Sequence, residues 1–471
     1  MSKNRETLPL IIALLATALL IGGGLWWFLR ATSRSVVDAG DGDIQSAQLA
    51  RDLPNRFSAG ERLLTPAAAG DAALQAQRQA GATALAAQNY PQAIAEFEAV
   101  LKAKRNDPEA LIYLNNAKIA DRPAYEIAVS VPIGGTLDTA LEMLRGVAQA
   151  QTEFNSQNPA VPLKVVIADD GYSPVVARQI AKVLVDNPKI LGVVGHHSSD
   201  MSLAAGEVYT QGKLAMISPV STSVKLSNFS PYVFRTVPSD FVAARALARY
   251  MVSQNQQNAA IFFNSQSAYS QSIKSEFASA LSLEGGQVVS EFDLSSSSFD
   301  PTSSFRQAEQ QGATTLALLP DSGQLDRALQ VVQVNQQQLK ILGGDSVYSP
   351  KLLAVSGAAA EGAVIAVPWH ILANQNSAFV KLSRELWGAD VNWRTTMSYD
   401  ATTALIAALT AQPNPTRESV QAALSNPGFG VTNGSGSVKF LPSGDRNQPI
   451  QLVTVAPGRR SGYSYDFVPM P

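Results

Sequence analysis

The chain contains no cysteine. That absence excludes disulfides, thiolate nucleophiles, cysteine-ligated zinc and a lipid-modified N-terminal cysteine. Histidine is nearly as scarce: His196, His197 and His370 are the only three in 471 residues, a thin supply of general bases and metal ligands. No basic block occurs in the long C-terminal part and the formal net charge is −2, so there is no electrostatic footprint for nucleic acid. The sequence also lacks a Gly-x-Ser-x-Gly elbow, a His-Glu-x-x-His helix and a phosphate-gripping Gly-x-x-x-x-Gly-Lys loop. Asp169-Asp170 are neighbours in one loop and read as a helix cap and turn rather than a catalytic pair. His196-His197, consecutive at a strand end, point in different directions and find no third metal ligand. The reading is a protein that is not an enzyme, with no metal and no cofactor.

What is present begins with a membrane signal. Residues 8–29 are apolar without one charge, closing on Leu25-Trp26-Trp27-Phe28-Leu29 before Arg30. About 20 such residues at ~1.5 Å each cross a hydrocarbon core of roughly 30 Å. The length and the bulky aromatic end favour an uncleaved anchor over a signal peptide. Lys3 and Arg5 hold residues 1–7 in the cytoplasm as a tail, which places the rest of the chain outside it. Residues 30–72, rich in Ser, Asp, Gly and Ala, read as a linker. Residues 73–121 read as a helical segment, apolar at i, i+3, i+4 through Ala93, Ile94, Phe97 and Leu101 and broken at Asn106-Asp107-Pro108. The segment resembles one and a half tetratricopeptide repeats, fewer than the three a self-supporting stack needs; a plain helical hairpin is the other reading.

From residue 122 to 471 short apolar runs alternate with amphipathic helices. Strands are expected over Leu163–Ala168, Ile190–Val194, Leu214–Ile217 and Ala259–Phe263, with helices between them. This alternation predicts parallel sheets covered by helices on both faces. The length calls for two lobes: the first over about 122–240 and 370–440, the second over about 241–369 and 441–471. Ligands of open parallel sheets bind beyond the carboxyl ends of the strands, and the loops there are dense in hydroxyls. After Val194 comes Gly195-His196-His197-Ser198-Ser199-Asp200, where Ser198 or Ser199 can cap a helix whose free N–H groups favour an anion. After Ile217 comes Ser218-Pro219-Val220-Ser221-Thr222-Ser223. After Ile341 comes Gly343-Gly344-Asp345-Ser346, in which Asp345 is either the partner of an ammonium group or a turn residue.

Residues from Tyr125 onward resemble the class I periplasmic binding proteins, the branched-chain amino-acid-binding family that serves ABC transporters. The markers are Asp169-Asp170, Val193-Val194-Gly195-His196, Met216-Ile217-Ser218-Pro219, Phe234-Arg235-Thr236, Tyr269-Ser270-Gln271-Ser272, Ser398-Tyr399-Asp400-Ala401, and Gly434 through Arg446. The resemblance implies a two-lobed α/β fold, two doubly wound parallel sheets with a hinge, closing on a small amino-acid-like ligand. It further implies that Ser199 binds the ligand carboxylate, that Val220 or Ser221 offers backbone contacts, and that Thr222 offers amide and hydroxyl. Tyr269 would close over the ligand from the second lobe and Asp345 would meet its ammonium group. Thr139 stands where leucine binders commonly carry an aromatic, and Leu318-Leu319-Pro320-Asp321 lacks the usual glycine and aromatic. The implied partners are a small molecule and either an ABC permease or a signalling protein, with the membrane reached through the N-terminal helix. The rival reading is a membrane-tethered interaction protein, similar to activators of cell-wall synthases, that needs no ligand.

Overall fold

The computed structural model describes residues 51–66 and 71–470, so the expected cytoplasmic tail and membrane anchor lie outside the described residues. No helix among the described residues is long and apolar enough to cross a membrane. Two units are distinguished. Of the first, Met1–Asn55, only a short helical turn is described, and all that follows concerns the second, Arg56–Pro471.

That unit opens with β1 (Phe57–Ser58) and three helices, α1 (Ala72–Ala86), α2 (Tyr90–Ala103) and α3 (Pro108–Ile119). Then come β2 (Tyr125–Val131), α4 (Leu137–Ser156), β3 (Leu163–Asp169), α5 (Pro174–Asp186), β4 (Ile190–Val194), α6 (Ser199–Gln211), β5 (Met216–Ser218) and β6 (Val233–Arg235). The alternation continues through α7 (Asp240–Ser253), β7 (Asn258–Phe263), α8 (Ala268–Leu283), β8 (Gln287–Asp293), α9 (Pro301–Gln310), β9 (Thr315–Leu319), α10 (Leu325–Asn335), β10 (Lys340–Gly343) and β11 (Val364–Val367). Three helices follow, α11 (Ala378–Trp387), α12 (Trp393–Thr410) and α13 (Arg417–Leu424). The chain ends with the hairpin β12 (Val431–Asn433) and β13 (Gly436–Val438), then β14 (Gln451–Pro457) and β15 (Tyr465–Pro469).

The strands form two large sheets. The first runs β1-β3-β2-β4-β5-β6, parallel except for β1. The second runs β15-β14-β11-β10-β9-β7-β8, with β14 alone running against the others. Parallel strands sandwiched between helices bury both faces, so they read as continuous apolar runs. In β9 all five residues are buried: Leu316 and Leu318 face the core built with Phe305 and Leu329, while Ala317 and Leu319 face the one built with Leu247 and Phe277. The chain passes between the sheets three times, after β6, after β11 and before β14.

The stretch expected to be a linker is partly folded. Phe57–Ser58 pairs with Ile167 and Ala168 as an edge strand, and the Arg56 guanidinium binds the Asp169 carboxylate at 2.8 Å. Residues 64–65 are held by Glu109 of α3. Its fully buried carboxylate accepts from Leu64 N at 2.6 Å, the Tyr113 hydroxyl at 2.8 Å, Arg78 Nη2 at 2.6 Å, and both the amide and the hydroxyl of Thr65. A buried carboxylate is tolerated when donors surround it in this way. Helix α3 is itself embedded. Asn116 donates to Val165 O and accepts from Val165 N, taking the place of a strand neighbour beside β3. The helical segment is therefore packed into the flank of the first lobe through α3 and α4.

The positioning of α12 depends on one small residue. A Cβ on Gly146 of α4 would lie 2.1 Å from the Thr395 carbonyl oxygen and 2.6 Å from Tyr399 N, so only glycine lets these two helices approach so closely. The first turn of α12 then projects into the gap between the lobes.

Candidate functional site

The carboxyl ends of β4 and β5 face those of β9 and β10 across the interlobe gap, and loops from both lobes line a small cavity of about 30 Å3. On the first-lobe side the wall is made by His197, Ser198, Ser199, Val220 and Ser221, with Tyr172 from the turn after β3 and Trp393 and Arg394 from α12. Ser267, Tyr269, Asp321, Ser322, Asp345 and Ser346 form the second-lobe side.

Helix α6 begins at Ser199, and Ser198 occupies the N-cap position without a side-chain capping bond. Its hydroxyl turns toward Met201 Sδ at 3.7 Å. The first N–H groups of α6 thus keep their affinity for an anion. The Ser199 hydroxyl accepts from Ser223 N at 3.2 Å, which ties the two hydroxyl loops together. The second loop is locked from behind: Ser218 Oγ donates to His196 O at 2.9 Å and accepts from Ser221 N at 3.0 Å. Arg235 clamps it by donating to Ser223 O at 2.8 Å, Ser227 Oγ at 2.7 Å and the Asp445 carboxylate at 2.7 Å.

From the second lobe, Tyr269 enters at the start of α8. Its hydroxyl packs over Gly344, where any Cβ would come within 2.5 Å of it. This hydroxyl lies beside Asp345 and Ser346 and is buried without meeting a hydrogen-bond partner in good geometry. The Asp345 carboxyl, also buried, is pushed above the usual carboxylate range by desolvation, against the pull of Tyr269 and of the Arg394 guanidinium. Arg394 binds Glu142 at 3.2 Å and reaches the Asp345 carbonyl at 3.5 Å. Burial, helped by Arg394, pushes His197 down to about 3, so its ring is neutral; Nδ1 has no partner among the described residues. Behind this wall Asp240 is pushed up to about 7, first by burial and then by the nearby Asp345 charge.

Besides the ion pairs of Arg460 with Asp390, Arg235 with Asp445 and Arg446 with Asp400, hydrogen bonds join the lobes around the cleft. The Tyr172 hydroxyl donates to Asp321 Oδ2 at 2.9 Å, and Val224 N to Ser272 Oγ at 3.0 Å. Ala268 N donates to the Asp200 carboxylate at 3.0 Å, and Arg394 to Asp345 O. The lobes are closed on each other.

Of the residues singled out in the sequence, Ser198, Ser199, Val220, Ser221, Tyr269 and Asp345 all line the cavity. Thr222 does not: its hydroxyl is buried beside the Asp240 carboxyl and its carbonyl accepts from Asp240 N at 2.8 Å. The loop turns inward at this residue because Asp240 opens α7 immediately behind it. The Val220 and Ser221 amides, expected to face a ligand, are engaged by Ser218 Oγ, and the Ser221 hydroxyl bonds Ser202 at 2.7 Å. His196 is a core residue, with Nδ1 2.7 Å from Asp170 and Nε2 3.2 Å from the Tyr209 hydroxyl. Tyr172, His197, Asp321, Trp393 and Arg394 were not read as site residues. Asn392 caps α12 through its side chain, and that cap before Trp393-Arg394 is the one local signal that a helix begins there.

Two α/β lobes joined by three crossings, with charged and hydroxyl groups meeting in the gap, define a two-lobed solute-binding protein. The family described as periplasmic binding protein matches residues 124–462, and the chain belongs to it. A Leu/Ile/Val-binding protein homolog from Brucella abortus is 24% identical over 263 residues, 54% of this chain and 68% of that protein. A leucine binding protein from Thermotoga maritima superposes with a TM-score of 0.63 at 21% identity, covering 73% of this chain and 97% of its own. A solute binding protein from Rhodopseudomonas palustris in complex with p-hydroxybenzoic acid gives 0.64 at 17% identity, covering 74% and 96%. The relatives are binding proteins rather than enzymes, and members of the family work outside the cytoplasm.

Proposed function

We propose that the protein captures a compact solute bearing a carboxylate and an ammonium group, an amino acid or a close derivative, by closing its two lobes around it. The observation that carries this reading is the facing pair of incomplete polar groups: the uncapped start of α6 at Ser199 on one side, and the Tyr269 hydroxyl beside Asp345 on the other. Buried polar groups in a folded protein are normally paired, so groups left unpaired at a cleft mark where a ligand completes them. The carboxylate would take the α6 amides and the Ser199 hydroxyl hydrogen, with Arg394 adding positive charge. The ammonium group would take Asp345. Closure buries both charges only once each has a partner.

A cavity of about 30 Å3 has room for roughly two waters by the same measure, so it favours a small solute. Anything larger requires Trp393 and Arg394 to move aside. We further propose that the chain is held at the outer face of the membrane by residues 8–29 and delivers its solute to an ABC permease or a signalling partner. The lobe arrangement about 122–240 with 370–440, and 241–369 with 441–471, is the division on which the hinge motion rests. A second reading, a membrane-tethered interaction protein without an obligatory ligand, is favoured by the direct contacts between the lobes around the cleft and by the small cavity.

Thermal-shift titration separates the two. Glycine, L-alanine, L-leucine, L-glutamate and putrescine are titrated against the full-length protein, and a solute that fits raises the melting temperature with ln(1 + [L]/Kd). A rise with an amino acid that disappears in Asp345→Asn supports solute capture. No shift with any of them at millimolar concentration sinks it in favour of the interaction reading.

A further inference from the structure

We infer that a second ligand site lies behind the cleft, in a groove of about 350 Å3 between the lobes, and that it takes a small organic anion with a flat apolar body. The groove is within the size range of small-molecule sites and more than ten times the size of the cleft cavity. Glu142 and Arg145 of α4 and Trp387 of α11 wall it on the first-lobe side; Tyr348, Leu353 and Phe467 wall it on the other.

The apolar side of the groove is preformed. The rings of Tyr348 and Phe467 lie 4.2 Å apart, and His370 meets Tyr348 edge-on at 5.9 Å. Burial, and after it the Arg460 charge, pushes His370 down to about 4, so its ring is a neutral wall rather than a cation. A flat ring slides against such a surface by offset or edge contacts.

The charge comes from Arg145. Its Nε donates to Asn106 Oδ1 at 2.6 Å, and among the described residues its terminal nitrogens have neither an acceptor nor an ion-pair partner. The carboxylates that act on Arg145 are Glu142, Asp138 and Asp107, none within ion-pair distance of it. Glu142 binds Arg394 at 3.2 Å and Asp107 binds Arg78 at 3.1 Å, while Asp390 across the groove pairs with Arg384 at 2.8 Å and with Arg460. A half-buried guanidinium fork facing a cavity presents two parallel donors, the geometry a carboxylate fits.

The groove and the cleft share a partition. In the first turn of α12, Asn392 and Thr395 line the groove while Trp393 and Arg394 line the cleft. Glu142 on the groove side holds Arg394 on the cleft side. Because both lobes wall the groove, an occupant favours one interlobe angle, and its binding is linked reciprocally to that of the cleft solute.

The test is calorimetric titration of the full-length protein with benzoate and with benzamide, which keeps the ring and loses the charge. Saturable benzoate binding is expected, with benzamide weaker by about tenfold or more. Arg145→Met should weaken benzoate by about tenfold, and Asp345→Asn in the cleft should leave it within about threefold. No saturable benzoate binding, equal affinity for benzamide, or an unchanged Arg145→Met variant would overturn the inference. Loss of benzoate in Asp345→Asn would place the anion in the cleft and overturn it too. Should Arg145→Met fail to fold, the benzoate–benzamide ratio in the unaltered protein decides. The amino-acid titrations of the cleft are independent of these outcomes.

Discussion

Two buried polar clusters of this molecule are built from similar residues and finished differently. Around Glu109, an arginine, a threonine, a tyrosine and two backbone amides all donate to one carboxylate, while Arg78 Nε makes no aligned hydrogen bond and lies 3.1 Å from Asp107. Around Asp345, a carboxyl, an arginine and a tyrosine also meet under burial, yet the Tyr269 hydroxyl beside Asp345 makes no well-aligned hydrogen bond and His197 Nδ1 is left over. The first cluster stitches residues 64–65 and α1 to α3, and the saturation of its carboxylate by donors is what makes it a structural joint. The second is stitched across two lobes and finished only when something enters between them. Completion separates scaffold from site here better than residue type does.

That contrast is sharpest at the largest expected effect. Glu109→Ala leaves Arg78 with Asp107 as its remaining ion-pair partner and strips the Leu64 and Thr65 amides and the Tyr113 hydroxyl of their acceptor, and is expected to cost about 3–5 kcal/mol of stability by urea unfolding. Asp240 tests the cleft from behind. Its folded pKa of about 7 lies above the unfolded value, so burial of this group favours its protonated form. Stability from it is present in acid and is lost as pH rises from about 4 toward 7. His197, held neutral with a pKa of about 3, acts with the opposite sign, stability rising as pH increases to about 6.5. The difference between Asp240→Asn and the unaltered protein isolates the first effect. The variant should be nearly neutral at pH 4 and gain on the order of 1–3 kcal/mol by pH 8, measured as paired denaturation curves; a gap that does not grow with pH contradicts the assignment.

Smaller effects are expected from single hydrogen bonds. Ser199→Ala should weaken amino-acid binding by about 1–3 kcal/mol and also lower the melting temperature, since it removes both a donor to the ligand and the acceptor of Ser223 N. Thr222→Ala, one turn of the loop further on, should leave affinity nearly unchanged, because that hydroxyl faces Asp240 rather than the cavity. Tyr172→Phe removes the contact with Asp321 and should cost closure about 0.5–1.5 kcal/mol, read as a more expanded average by small-angle scattering.

The alternation of apolar runs with amphipathic helices carried the α/β architecture and the two hydroxyl loops at the ends of β4 and β5, because period and strand-end position are local properties of a chain. The direction of a loop side chain is not local. Thr222 turns inward only because α7 starts behind it. Arg394 was invisible for a different reason: the first half of α12 is buried on every side, so it has no polar stripe to set off a functional residue. Edge strand β1 was hidden in a stretch whose composition resembles a linker, and only its pairing with β3 and the donors around Glu109 reveal it as folded.

The most direct measurement is calorimetry of the full-length protein and of Asp345→Asn with whichever amino acid most raises the melting temperature, alongside unfolding of both. Solute capture predicts that the variant loses about 1–3 kcal/mol of binding while its folding stability is unchanged or higher, because an ionisable group leaves a buried site. Equal affinity in the two proteins, or a variant that loses stability as Glu109→Ala does, would make the cleft one more structural joint and contradict the account.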